Sequence, residues 1–117
     1  MKLYQYPKCS TCRKAIKFLQ EKGVDFNSLD ITQHPPKKTE LRKMLKSYEG
    51  NIRKLFNTSG VQYRELGMKD KLAEMTVNEA IDLLAGNGKL IKRPFLLQAD
   101  GRGIVGFNED VWSEFLS

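Results

Sequence analysis

Residues 2–15 read Lys2-Leu3-Tyr4-Gln5-Tyr6-Pro7-Lys8-Cys9-Ser10-Thr11-Cys12-Arg13-Lys14-Ala15. The first five are aromatic-rich and halted by Pro7, the pattern of a short strand entering a loop. Ser10 or Thr11 then offers a helix N-cap, and Ala15, Ile16, Phe18 and Leu19 share one helical face with Cys12 a turn earlier, until Gly23 ends the segment. The two cysteines therefore straddle a strand-to-helix turn.

Beyond this unit, Val24 to Ile31 reads as a second strand with a polar interruption, stopped by His34-Pro35-Pro36. From about residue 37 to 88 the period is helical. Leu41, Met44, Leu45 and Tyr48 form one stripe, Ile52, Leu55 and Phe56 a shorter one, and Ala80, Ile81, Leu83 and Leu84 a third. Thr76 and Glu79 have capping-box spacing, and Gly86 and Gly88 suit that helix's end. Two apolar strands, Phe95–Gln98 and Ile104–Phe107, flank the turn residues Ala99–Arg102, and a helix over 109–116 carries Val111, Trp112, Phe115 and Leu116. The order β-α-β, helical insert, β-β-α predicts an α/β, thioredoxin-like fold with a mixed sheet and an inserted helical subdomain at about 37–88.

The chain has 117 residues, 40% hydrophobic and 29% charged, which is ordinary globular composition and excludes a disordered or collagen-like chain. It is read as a single domain spanning 1–117. The 20 Lys and Arg against 14 Asp and Glu give +6, and all of this excess lies in residues 1–50, with 11 basic and 5 acidic side chains there. That half attracts anions or an acidic partner. Direct nucleic-acid binding is not expected, because the basic residues come without stacking aromatics or a helix-turn-helix pattern. No membrane association is expected either, since no apolar run approaches the ~20 residues of a span. With no secretion signal visible, the expected location is cytoplasmic, and two cysteines spaced Cys-X-X-Cys read as redox chemistry rather than a structural staple.

A thiolate is the working form of cysteine, and it is favoured at a helix N-terminus and beside cations. Cys9 meets both conditions, with Lys8 before it and Arg13 and Lys14 after it as anion- or thiolate-stabilising candidates. Cys12 stands where it can attack a mixed disulfide on Cys9. Cys9 is thus the expected nucleophile and Cys12 the resolving thiol; the alternatives are an inert pair or a metal site. Zinc lacks ligands, because one His and no third Cys accompany the pair. His34, beside two prolines, reads as an exposed turn residue. Arg93-Pro94 directly precedes the third strand, where a cis proline would bring the Arg93 guanidinium to the cysteine loop to hold an oxyanion or the thiolate. The run Gly101 to Gly106 satisfies G-x-G-x-x-G but reads as a hairpin, whereas a dinucleotide fingerprint must follow a strand, open a helix and be followed by an acid ~20 residues on. Met44, Met68, Met75, Phe18, Phe56 and Trp112 read as packing, and Tyr6 as the one aromatic next to the site.

Tyr6-Pro7-Lys8-Cys9-Ser10-Thr11-Cys12-Arg13-Lys14-Ala15, then Phe56-Asn57-Thr58-Ser59-Gly60 leading to Tyr63-Arg64-Glu65-Leu66-Gly67, then Leu90-Ile91-Lys92-Arg93-Pro94 and Val105-Gly106-Phe107, together resemble the arsenate reductase (ArsC)/Spx-like family of thioredoxin-fold proteins. The likeness runs along essentially the whole chain and is nearest to arsenate-reductase-related proteins with a Cys-X-X-Cys. It implies a thiol-disulfide oxidoreductase acting on a small thiol or protein disulfide, with glutaredoxin or thioredoxin as redox partner, no bound cofactor, and glutathione as a co-substrate. For the glutaredoxin-linked arsenate reductases, it matches Cys9 to the cysteine that attacks arsenate and Arg93 to one of three oxyanion-holding arginines. Asn57 and Gly106 stand where the other two would be, and Gln5 where a histidine lies near the nucleophile. Losing two charge-assisted contacts, each worth ~1.5–3 kcal/mol, weakens oxyanion binding. For Spx-type members, the resemblance implies a Cys-X-X-Cys redox switch that binds the RNA polymerase alpha subunit, with Glu49-Gly50-Asn51-Ile52-Arg53 the stretch to inspect for that contact.

Overall fold

Leu3 and Tyr4 are both buried, yet they point to opposite sides of the first strand, and this alternation sets the architecture. A computed structural model describes residues 1–117. Strands β1 (Lys2–Gln5), β2 (Asn27–Asp30), β3 (Phe95–Leu97) and β4 (Gly103–Val105) form one sheet in the order β2-β1-β3-β4. β1 pairs parallel with β2 and antiparallel with β3, and β3 antiparallel with β4, so the expected thioredoxin-like mixed sheet is present.

Helices α1 (Ser10–Glu21) and α6 (Glu109–Leu116) cover one face, where Leu3, Ala15, Phe18, Leu19, Leu96, Ile104 and Trp112 pack together. The chain between β2 and β3 covers the other. It contains α2 (Lys38–Ser47), a 3-10 turn (Ile52–Leu55), α3 (Val61–Glu65), α4 (Met68–Glu74), α5 (Val77–Gly86) and a second 3-10 turn (Gly88–Leu90). Tyr4, Phe95 and Leu97 meet Leu41, Met44, Phe56, Ile81 and Leu84 there. Met44, Met68, Phe18, Phe56 and Trp112 are buried as expected, and Met75 packs partly buried at the core's margin.

The second strand is shorter than its apolar residues suggest. Val24 donates its amide to Leu19 O (3.1 Å) and Gly23 its amide to Gln20 O (3.1 Å), with Gly23 at φ 68°. This closes α1 in a Schellman arrangement and withdraws Val24 from the sheet. The capping box of α5 is as expected: Glu79 N donates to Thr76 Oγ1 (3.1 Å) and Thr76 N to Glu79 Oε1 (2.9 Å). Gly88 is needed for close packing rather than for a helix stop, because a Cβ there would lie 1.8 Å from Ile31 O.

Two polar links set the position of α2. Glu40, itself buried, accepts from the Tyr4 hydroxyl (2.7 Å), Lys2 Nζ (3.1 Å) and the Lys37 amide (3.0 Å), tying α2 to β1. At its other end, Ser47 Oγ accepts from Gly103 N (3.0 Å) and the Tyr48 hydroxyl from Val105 N (2.9 Å). β4 is an edge strand, and these side chains satisfy outward-facing amides that would otherwise be free to pair with another chain.

Candidate functional site

The β1-to-α1 loop is built around Cys9. Its amide donates to Tyr6 O (2.9 Å), and the residue has extended backbone (φ −92°, ψ 116°) at the N-cap of α1. The cap acceptor is the cysteine sulfur: Cys12 N donates to Cys9 Sγ at 3.4 Å. Neither Ser10 nor Thr11 fills the role expected of them, because the helix begins one residue earlier. Cys9 is therefore seated where the unpaired amides and the positive end of the helix dipole converge.

Burial pushes the Cys9 thiol up, but hydrogen bonds from the Cys12 side chain and amide, followed by the Arg93 guanidinium and its charge, hold it below the ordinary thiol value. Cys12 is fully buried, and burial above all, with the neighbouring Cys9 adding to it, pushes its thiol up to about 12. The two thiols are thus differentiated, one partly exposed and favouring the anion, the other enclosed and favouring the protonated form.

The cations separate just as clearly. The Arg93–Pro94 bond is cis, and the Arg93 guanidinium lies over the Tyr6 ring, 5.0 Å from its centroid. Its Nη1 is buried without a hydrogen-bond partner, a donor left for a thiolate or a substrate oxygen. Arg13, expected to stabilise the anion, instead donates through Nη1 to Pro7 O (2.8 Å) and so braces the cysteine loop. Lys8 is exposed and enters no ion pair or hydrogen bond. Adjacency in sequence put both beside Cys9, but Arg13 is engaged with the loop backbone and Lys8 makes no contact with the thiol. Pro94 is buried, and its carbonyl accepts from Gly106 N (2.8 Å).

A cleft of about 330 Å³ opens beside this loop, lined among others by Tyr6, Asn57, Gln62, Glu65, Lys89 and Arg93. Asn57 and Arg93 both line it. Gly106 has φ 71°, and a Cβ on it would come 3.2 Å from Lys92 Cε, so an arginine side chain is disfavoured there by the backbone itself. Gln5 donates to Ser28 Oγ (3.2 Å), and its Oε1 is buried without a partner. Gly101 to Gly106 form the turn and strand of a hairpin. His34 is exposed beyond β2.

A four-stranded mixed sheet with a Cys-X-X-Cys at the first helix and a cis proline opposite it defines a thioredoxin-like protein. The ArsC family model matches residues 4–115, and the chain belongs to the ArsC family. It is 48% identical over 112 residues to the uncharacterised protein YusI of Bacillus subtilis, covering 95% of this chain and 93% of YusI. It is 32% identical over 115 residues to the global transcriptional regulator Spx of Streptococcus pyogenes, covering 98% of this chain and 84% of Spx. Among solved structures, one described as a possible arsenate reductase from Streptococcus mutans superposes with a TM-score of 0.85 at 42% identity, covering 94% of this chain and 95% of that one. No helix is long and apolar enough to cross a membrane.

Proposed function

We propose that the protein is a thiol-disulfide oxidoreductase in which Cys9 is the nucleophile, Cys12 the resolving thiol and Arg93 the thiolate- or anion-stabilising group. The observation that carries this reading is the asymmetry of the pair: a capped, Arg93-assisted sulfur at the surface and a protonated one buried behind it. In the reductive direction the Cys9 thiolate attacks one sulfur of a small or protein disulfide, forming a mixed disulfide and releasing the first substrate thiolate. Cys12 loses its proton and attacks Cys9 Sγ, releasing the second. The substrate gains two electrons, and the Cys9–Cys12 disulfide is returned to the dithiol by glutathione, glutaredoxin or thioredoxin. Equilibration in glutathione buffers with trapping of free thiols tests this. A reversible internal disulfide between very roughly −220 and −320 mV supports it, and failure to form one removes the resolving role of Cys12.

Arsenate reduction is the narrower reading suggested by the neighbour from Streptococcus mutans. Asn57 and Gly106 speak against an efficient version; of the three cations that could stand in for the missing arginines, Arg13 is engaged with Pro7 O, Lys8 is exposed, and Lys92 reaches toward Gly106, its Cε 3.2 Å from where a Cβ on that residue would lie. Arsenate-dependent NADPH oxidation in a coupled glutaredoxin assay, equal to the no-enzyme rate, would dispose of it.

The likeness to Spx favours a second reading, a redox-controlled regulator that contacts the RNA polymerase alpha subunit. Capture of polymerase that differs between reduced and oxidised protein supports it. No capture in either state removes it.

A further inference from the structure

The segments that line the Arg93 cleft also line a second cleft with different chemistry. Along the neighbouring segments side chains alternate between the two: Asn57 and Arg93 line the first, Thr58 and Lys92 the second. The second cleft, about 390 Å³, is also lined by Tyr48, Arg53 and Lys54, with Phe56 and Val105 as apolar walls. Arg53 and Lys54 come from the 3-10 turn that turns Leu55 into the core. Lys92 is fixed by backbone, its amide donating to Leu55 O at 2.7 Å.

No acidic residue lines this cleft, and Arg53, Lys54 and Lys92 take part in no ion pair anywhere in the chain. The Tyr48 hydroxyl already accepts from Val105 N (2.9 Å), so its own proton is free to be donated. Three cations and a hydroxyl donor thus surround a concave space with nothing to neutralise them, which concentrates positive potential there. The larger basic cleft between Lys43, Lys46 and Arg102 differs on this point, because Asp100 sits in it and takes the Arg102 guanidinium at 2.9 Å.

We propose that the cleft between Tyr48, Arg53, Lys54, Thr58 and Lys92 is an anion-binding site for the phosphate or carboxylate group of a small organic molecule, separate from the cysteine site. Its volume exceeds that of a bare oxyanion, and Phe56 and Val105 supply apolar surface for the body of such a ligand.

The test is a titration of the isotope-labelled full chain, followed by amide chemical shifts, with inorganic phosphate in one arm and succinate in the other, at constant ionic strength set with chloride. Saturable shifts at 51–54, Thr58, Lys92 and Val105 are expected. Saturation by phosphate alone assigns a phosphorylated ligand and by succinate alone a carboxylate; either supports the site. Arg53 and Lys54 are exposed, so R53A/K54A keeps the fold and should weaken binding by about tenfold or more, with K92Q shifting it in the same sense. Shifts confined to Tyr6–Cys12 and Arg93, no saturation in either arm, or unchanged binding by R53A/K54A would overturn the proposal.

Discussion

The amide of Cys12 donates to the sulfur of Cys9 at 3.4 Å, so the residue that carries the second, enclosed thiol also helps hold the first as an anion. The pair is a single device held by one turn of helix. Removing either member therefore has a distinct and separable effect.

In the native protein a thiol reagent should modify Cys9 rapidly and Cys12 only on unfolding, because Cys12 is completely enclosed. Cys9→Ser should abolish disulfide turnover, while Cys12→Ser should accumulate a stable mixed disulfide visible by mass. Intact turnover by Cys9→Ser would sink the assignment.

The Arg93 guanidinium and its charge help hold the Cys9 thiol below its ordinary value. Arg93→Gln should move the midpoint of the Cys9 alkylation rate against pH upward, toward the ordinary thiol value, with Arg93→Lys between the two. An unmoved midpoint would show that the helix terminus alone supplies the effect.

Burial raises the Glu40 carboxyl, but bonds from Tyr4, Lys37 and Lys2 outweigh it and hold the folded value below the usual one. Its contribution to stability is then fully present above the unfolded value, ~4.3, and is lost as pH falls through the lowered folded value. Glu40→Gln should cost about 1 kcal/mol at neutral pH and Glu40→Ala about 2–3 kcal/mol. Urea unfolding should show the gap between wild type and Glu40→Gln closing in acid.

Gly106 occupies left-handed backbone at φ 71°. Gly106→Arg should lower stability by about 1–2 kcal/mol, whereas Asn57→Arg, at a half-buried position on the cleft wall, should be tolerated. Equal urea midpoints for the two variants would contradict this.

The features that could be read from sequence are those specified locally. The β1-loop-α1 unit, the Thr76–Glu79 box, the hairpin around Ala99–Arg102 and the final helix each carry their own punctuation, and all are present. Breaks within the helical insert were less legible, because α3 and α4 are short, one buried residue each (Tyr63 and Met68), and so leave no apolar stripe to mark them. Glu40 looks like any surface glutamate until the fold brings Tyr4 and Lys2 to it, 36 and 38 residues away. Side-chain direction was the least legible of all: Arg13 and Lys8 neighbour Cys9 in the chain, but Arg93 is the cation whose charge acts on it. The Lys92 cleft had no signature of its own, since its walls come from 48–58, Lys92 and Val105.

The indole N–H of Trp112 donates to Gly106 O at 2.8 Å, and Gly106 in turn donates to Pro94 O at 2.8 Å. The chain has one tryptophan. Its fluorophore is therefore joined by two hydrogen bonds to the residue that follows Arg93, and oxidation of the cysteine pair is expected to change its emission, an optical readout with no dye attached to either thiol.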